Sequence, residues 1–311
     1  MKPTAFIHVD MDGAWAIRRC YGLDDGAYFD PDPVYEEGVP RILDTLGRKG
    51  LPAGFFIVGR DMEAASKRIL TARMAMQGHE IGNHSQDHHI GLTALSNEEI
   101  RQHISEAQNA ITGALQEGGV GSNAAPVGFR APGYDADRRV WGILRDLGFL
   151  YDTSVIPTPW GFLMRLTDSY ISGKAPWKKR QYGRLSWGWR SLAPGLIEGP
   201  GILWEIPVSV TPRLRFPMHF SMAQKRGFDF FRCSAEQYLE RGLPLLYLFH
   251  GIDFTETRGL TLLPSSRGRD FFDTRLEDKV VLAERILDWI GGHFEVARVR
   301  DWISKAESRS V

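Results

Sequence analysis

The chain has 311 residues, 43% hydrophobic and 24% charged, so it is long enough to bury a large core and has the composition of a globular protein. Lys plus Arg balance Asp plus Glu at 38 each, which excludes a global electrostatic pull toward nucleic acid. Two cysteines, Cys20 and Cys233, are too few for a disulfide framework or a thiolate metal site, and no run approaches the roughly 20 apolar residues of a membrane span. Asp10 and Asp12 interrupt any apolar stretch near the start, so no secretory leader is expected and a cytoplasmic location is.

Taken in chain order, short apolar runs alternate with longer amphipathic ones, the pattern of a βα architecture. Strands are expected at Thr4 to Val9, Ala53 to Val58, Glu80 to Gly82, Val127 to Arg130, Leu150 to Asp152, Ile202 to Val208, Pro244 to Phe249 and Phe294 to Val299. Helices are expected at Tyr35 to Arg48, Glu63 to Met76, from Ser96 toward Leu115, at Asp137 to Leu147 and at Leu276 to Ile290. Ser96 and Glu99 form a capping box at the start of the third helix. Residues 157–200 show no clean period and read as one long insertion at the active-site end of a single domain spanning 1–311.

Four segments that follow expected strands hold most of the reactive side chains. In His8 to Gly13, Asp10 and Asp12 serve one site if the chain leaves extended geometry there. In Gly78 to His89, His84 and His88 are spaced i, i+4, so one helical turn stacks both imidazoles toward a divalent metal, with a carboxylate from elsewhere as third ligand. A zincin reading fails, because Ser85 and not Glu follows the first histidine. Arg130 ends a strand before a Pro-Gly turn whose amides can donate to an oxyanion, and His250 ends another strand, placed for acid/base work.

In this order the segments resemble the polysaccharide deacetylase family, carbohydrate esterase family 4, from about Phe6 to Phe254, with Gly78 to His88 the most specific element. The resemblance implies an α/β fold, a distorted (β/α) barrel of about seven strands, and a divalent ion, Zn²⁺ as first choice. It further implies hydrolysis of an N-acyl group, acetyl or formyl, on an amino sugar. Carried over by motif, Asp12, His84 and His88 are the ligands, Asp10 the general base, Arg130 its orienting partner and His250 the general acid. A backbone amide near Tyr134 belongs to the oxyanion hole. His8, His79, His89, His103 and His293 are expected to stay off the ion. Met11 between the two aspartates looks like the Asp-x-Asp subgroup that includes lipid-linked aminoarabinose deformylases and allantoinase-like amidohydrolases. Gly133 separates Pro132 from Tyr134, and Trp204 to Val208 replaces the family's Trp-ending fourth motif, with Glu205 either pairing with Arg130 or His250 or serving as a structural strand-end carboxylate.

The insertion interleaves Trp160, Trp177, Trp187 and Trp189 with Arg165, Lys174, Lys178, Lys179, Arg180, Arg184 and Arg190, Asp168 being the only acid between Trp160 and Arg190. Aromatic faces stack on sugars and cations pair with phosphates, so a phosphate-bearing or lipid-carrier-linked glycan is expected, with peripheral membrane contact through 160–190. Phe216 to Phe220 adds apolar surface nearby. Two alternatives stand beside this: an allantoinase-like or cyclic-imide amidohydrolase, and a metal-free carbohydrate-binding homologue.

Overall fold

The computed structural model describes residues 2–121, 125–172, 181–264 and 273–308. The sheet is built on β1 (Thr4–Met11), whose residues from Ala5 onward are all buried. It lies parallel between β2 (Gly54–Ile57) and β8 (Leu245–His250). The sheet continues through β3 (Glu80–Asn83), β4 (Gly128–Phe129), β5 (Tyr151–Asp152) and β7 (Trp204–Glu205), all parallel. β6 (Gly195–Leu196) adds an antiparallel edge, and β9 (Glu295–Val296) pairs with the start of β1. The segment after β7 closes the gap to β8: the Ser209 amide donates to Leu246 O at 3.3 Å, and the Leu246 amide to Ser209 Oγ at 2.9 Å. The result is the distorted (β/α) barrel expected, with eight parallel strands among the described residues where about seven were expected.

Alternation along β1 and β8 explains where the chemistry goes. Ala5, Ile7, Val9 and Met11, with Leu245, Tyr247 and Phe249, pack in the largest apolar cluster with residues of the surrounding helices. Phe6, Leu246 and Leu248 face the other way, into the barrel, with Phe56 and Tyr151. Asp10 and His250 continue that inward face and are register partners at the C-terminal ends of neighbouring strands. In a parallel barrel all such ends open on one side, where ligand sites form.

The helices are α1 (Ala14–Cys20), α2 (Val39–Lys49), α3 (Ala65–Met76), α4 (Asn97–Glu117), α5 (Arg138–Asp146), α6 (Gly161–Ser172), α7 (Phe220–Arg226), α8 (Phe228–Glu240), α9 (Leu276–His293) and α10 (Val299–Ser308). Ser96 and Glu99 make both bonds of the expected capping box on α4, and Asp137 caps α5 through the amides of Arg139 and Val140. α1, α7, α8 and α10 were not read from the sequence, α10 occupying the end of the run expected as a last strand. Residues 157–200, expected as an aperiodic insertion, contain a helix, α6, and a 3-10 turn at Leu185–Trp189. Their tryptophans divide: Trp187 is buried in the cluster with α5, Trp160 stacks on Phe216 at 4.8 Å, and Trp189 is 76% exposed. Lys174, Trp177, Lys178, Lys179 and Arg180 lie outside the described residues.

Candidate active site

His84 follows β3 directly, and the chain from His84 to His89 forms no helical turn. Ser85 (φ 63°) and His88 (φ 49°) adopt left-handed backbone conformations instead, curling the loop so that the two rings lie 5.1 Å apart. The i, i+4 spacing therefore delivers both imidazoles, but through a strained loop. Asp12, one residue beyond β1, completes the group: its Oδ1 lies 3.3 Å from His84 Nε2 and 3.1 Å from His88 Nε2. Among the described residues this is the one cluster of three such donors near enough to share an ion.

The donor geometry fits a divalent ion. Ligands about 2.0–2.2 Å from a tetrahedral centre stand roughly 3.3–3.6 Å apart. Asp12 Oδ1 is buried, and its near polar neighbours are these two imidazole nitrogens. His84 Nδ1 donates to Arg130 O at 2.7 Å, which leaves the Nε2 lone pair directed at the site. His88 Nδ1 lies 3.5 Å from Cys20 Sγ. Burial alone would push the Asp12 carboxyl up, but His88 and His84 outweigh it and hold it well below the usual carboxylate range. Burial would likewise lower His88; the Asp12 carboxylate, with Cys20, holds it well above its ordinary value. A cation taken up here would displace a proton.

Asp10 stands one inward position below. Arg130, 0% exposed, donates from Nη1 to Asp10 Oδ1 at 2.5 Å, from Nη2 to His8 Nδ1 and Thr153 Oγ1 at 2.9 Å each, and from Nε to Thr153 O at 3.1 Å. Its guanidinium also lies over the Phe56 ring at 4.5 Å. Burial, then the Arg130 charge, depress the His8 imidazole well below its usual range, which keeps it neutral and able to accept that bond. His250 Nε2 lies 3.9 Å from Asp10 Oδ2. Asp253 sets the His250 backbone by accepting its amide at 2.8 Å.

Asp10, Asp12, His84, His88, His250 and Asp253 border a cavity of about 480 Å³, together with Tyr134, residues of α6 and α7, and His219. His219 is a functional candidate that the sequence reading missed. It precedes α7 with its ring edge-on to His250 at 6.4 Å, and its Nδ1 is buried without a partner. Burial, then His250, push it down to about 3, so it is neutral at working pH.

Two assignments change. Glu205 pairs with neither Arg130 nor His250: it sits beside its register partner Asp152 and accepts the Val155 amide at 3.1 Å. Burial, then the Asp152 charge, raise its carboxyl well above the usual range, which favours its protonated form. The Tyr134 amide is already committed to Ala131 O at 2.9 Å, and the Ala131 amide to Ser154 Oγ at 2.8 Å. Pro132 has no N–H, so the amide of Gly133 is the one in this turn that hydrogen-bonds to no described residue. His89 stays off the ion cluster, packing its ring against His103 at 5.5 Å. His79 accepts the Ala53 amide, and His293 stacks on Trp289.

A parallel (β/α) barrel with an Asp-His-His cluster at its C-terminal end is thereby defined. Residues 23–151 match the family model described as polysaccharide deacetylase. A chitooligosaccharide deacetylase of Sinorhizobium fredii is 36% identical over 129 residues, 41% of this chain and 55% of that protein. A peptidoglycan deacetylase of Helicobacter pylori is 26% identical over 237 residues, 71% of this chain and 70% of its own length. The matched stretch thus spans about half of the rhizobial relative. A structure of a candidate polysaccharide deacetylase from Mycobacterium smegmatis superposes with TM-score 0.64 at 17% identity, covering 100% of this chain and 92% of that one. Another from Pseudomonas aeruginosa gives 0.59 at 14% identity, covering 96% and 88%; both share the fold. Residues 23–151 thus match the polysaccharide deacetylase family, and the chain as a whole shares the fold of those solved structures.

Proposed function

We propose that this chain hydrolyses an N-acyl group, acetyl or formyl, from an amino sugar, using a divalent ion, Zn²⁺ first, held by Asp12, His84 and His88. The observation that carries this is the convergence on one cavity of the three ligand atoms and the Asp10–His250 pair. The names of the relatives, deacetylases of chitooligosaccharides and peptidoglycan, support the substrate class.

An amide carbonyl is a poor electrophile and water a poor nucleophile near neutral pH. A bound dication supplies polarisation of the carbonyl and a water that ionises more readily. Asp10, fixed as a carboxylate acceptor by Arg130, takes the water proton. The Gly133 amide donates to the carbonyl oxygen as charge develops there. His250 delivers a proton to the departing amine, which otherwise leaves badly.

The test is acid release from N-acetylated and N-formylated amino sugars, as free oligomers and as phosphate- and lipid-linked forms, with allantoin and a cyclic imide alongside. Turnover of a cyclic imide with no turnover of any N-acyl sugar would reject the proposal in favour of the amidohydrolase reading. Within the sugar series we favour a carrier-linked substrate. α6 lines the cavity with Met164 and Ile171 while exposing Phe162, Leu163 and Tyr170 outward, a surface suited to an amphiphilic carrier. Equal turnover of free and carrier-linked forms would remove that preference.

A further inference from the structure

Behind the candidate ion site lies a buried charge cluster that the chemistry above does not use. Lys67 on α3 is 1% exposed, and its Nζ donates to Asp32 Oδ2 at 2.9 Å and Asp61 Oδ1 at 2.6 Å. Taking three charges out of water is costly, and replacing such groups by apolar ones is often neutral or stabilising, so stability alone is a poor account of them. Their remaining bonds show what they hold. Asp32 Oδ1 accepts the Ala14 amide at 3.2 Å, and Asp61 Oδ1 accepts Trp15 Nε1 at 2.8 Å. Val34 N and Tyr35 Oη, donating at 3.0 Å each to Asp32 and Asp61, anchor the cluster on the opposite side. Gly13 is pressed onto this surface: a Cβ there would meet Asp32 Oδ2 at 2.4 Å and the Trp15 ring at 2.7 Å.

Asp12 lies between two fixtures. Before it, β1 is held on both sides by β2 and β8; after it, residues 13–15 are clamped by the cluster. We infer that Lys67, Asp32 and Asp61 are positioning residues for the ion, setting the backbone beyond Asp12 so that its Oδ1 lies where the two imidazoles converge. The inference rests on the ion-binding reading of Asp12, His84 and His88.

The full chain, stripped of metal, is titrated with Zn²⁺ against a chromophoric chelator, below each variant's unfolding transition. Asp32→Asn and Lys67→Met are expected to keep the circular dichroism of the parent protein yet bind Zn²⁺ about 10–100-fold more weakly, as loss of an outer partner of a metal ligand does. Ile111→Ala, a core truncation on α4, serves as a control for general destabilisation and is expected to bind like the parent. Should the charge variants fail to fold, Trp15→Phe removes the bond to Asp61 together with part of the ring packed against Phe29 and Arg60, and is expected to weaken binding several-fold. Parent-like affinity in whichever variants fold overturns the inference, as does an equal loss in Ile111→Ala. A parent protein that takes up no Zn²⁺ overturns the ion-binding reading instead.

Discussion

Asp10 and Asp12 are separated by one residue, yet their surroundings differ in a way that assigns their tasks. Asp10 Oδ1 is occupied by Arg130, whereas Asp12 Oδ1 has the two imidazole nitrogens beside it. Asp10→Asn is therefore expected to keep its ion while turnover falls by roughly 10²–10⁴. Asp12→Asn is expected to lose the ion first, since a charged ligand is removed. Metal analysis of the two purified proteins decides it: an ion-free Asp10→Asn beside a loaded Asp12→Asn would exchange the roles. Both carboxylates, both imidazoles, Arg130 and His250 were legible in the sequence because each belongs to a short motif at a strand end. His219 was not, because Phe216, Pro217, Met218 and Phe220 around it read as apolar surface. Only the fold of α7 turns its ring toward His250.

Among the elements, the β5–β7 pair carries a carboxylate that looks reactive in sequence and is not so in place. Glu205 and Asp152 are register partners, and Asp152 also holds Trp141 Nε1 and, through Ser154, the Ala131 amide. Since Glu205 is held by the Val155 amide beside Asp152, away from Arg130 and His250, Glu205→Gln is expected to leave turnover within a few-fold, measured under the same substrate assay; a fall above about 10²-fold would restore it to the chemistry. His79, between α3 and β3, gives a pH signature. Burial, then Arg298, lower it from 6.5 to about 4. The folded state thus binds fewer protons than the unfolded one between these values, so stability present above pH 6.5 is lost as pH falls toward 4. The loss is about 3 kcal/mol from this group. Chemical denaturation across that window is expected to show a shallower slope in His79→Gln. An unchanged slope would assign the dependence to other groups. The long strands and the capped α4 were readable from period and capping. α1 and α7, of 7 residues each, are too short to display a helical period. The His84–His88 loop carries no local sign of its left-handed residues, which other contacts impose.

For the molecule as a whole, an ion that binds only the folded barrel must stabilise it. With free Zn²⁺ at 100 times its dissociation constant, the gain is about 2.7 kcal/mol, and chelation is expected to lower the thermal midpoint by several degrees. His84→Ala is expected to abolish that difference; a chelator effect that persists in it would place the ion elsewhere. Asp10 pairs with Arg130 across 120 residues and stands in register with His250 on β8. Residues 23–151, the stretch that matches the family, hold His84, His88 and Arg130 but neither aspartate nor His250. During synthesis, which proceeds from the N-terminus, a growing chain displays the imidazole pair long before β8 can settle against β1. The Asp10–His250 pair can therefore assemble only as the final strands leave the ribosome, and under the proposed mechanism a nascent polypeptide, however well folded its early part, would be chemically silent until then.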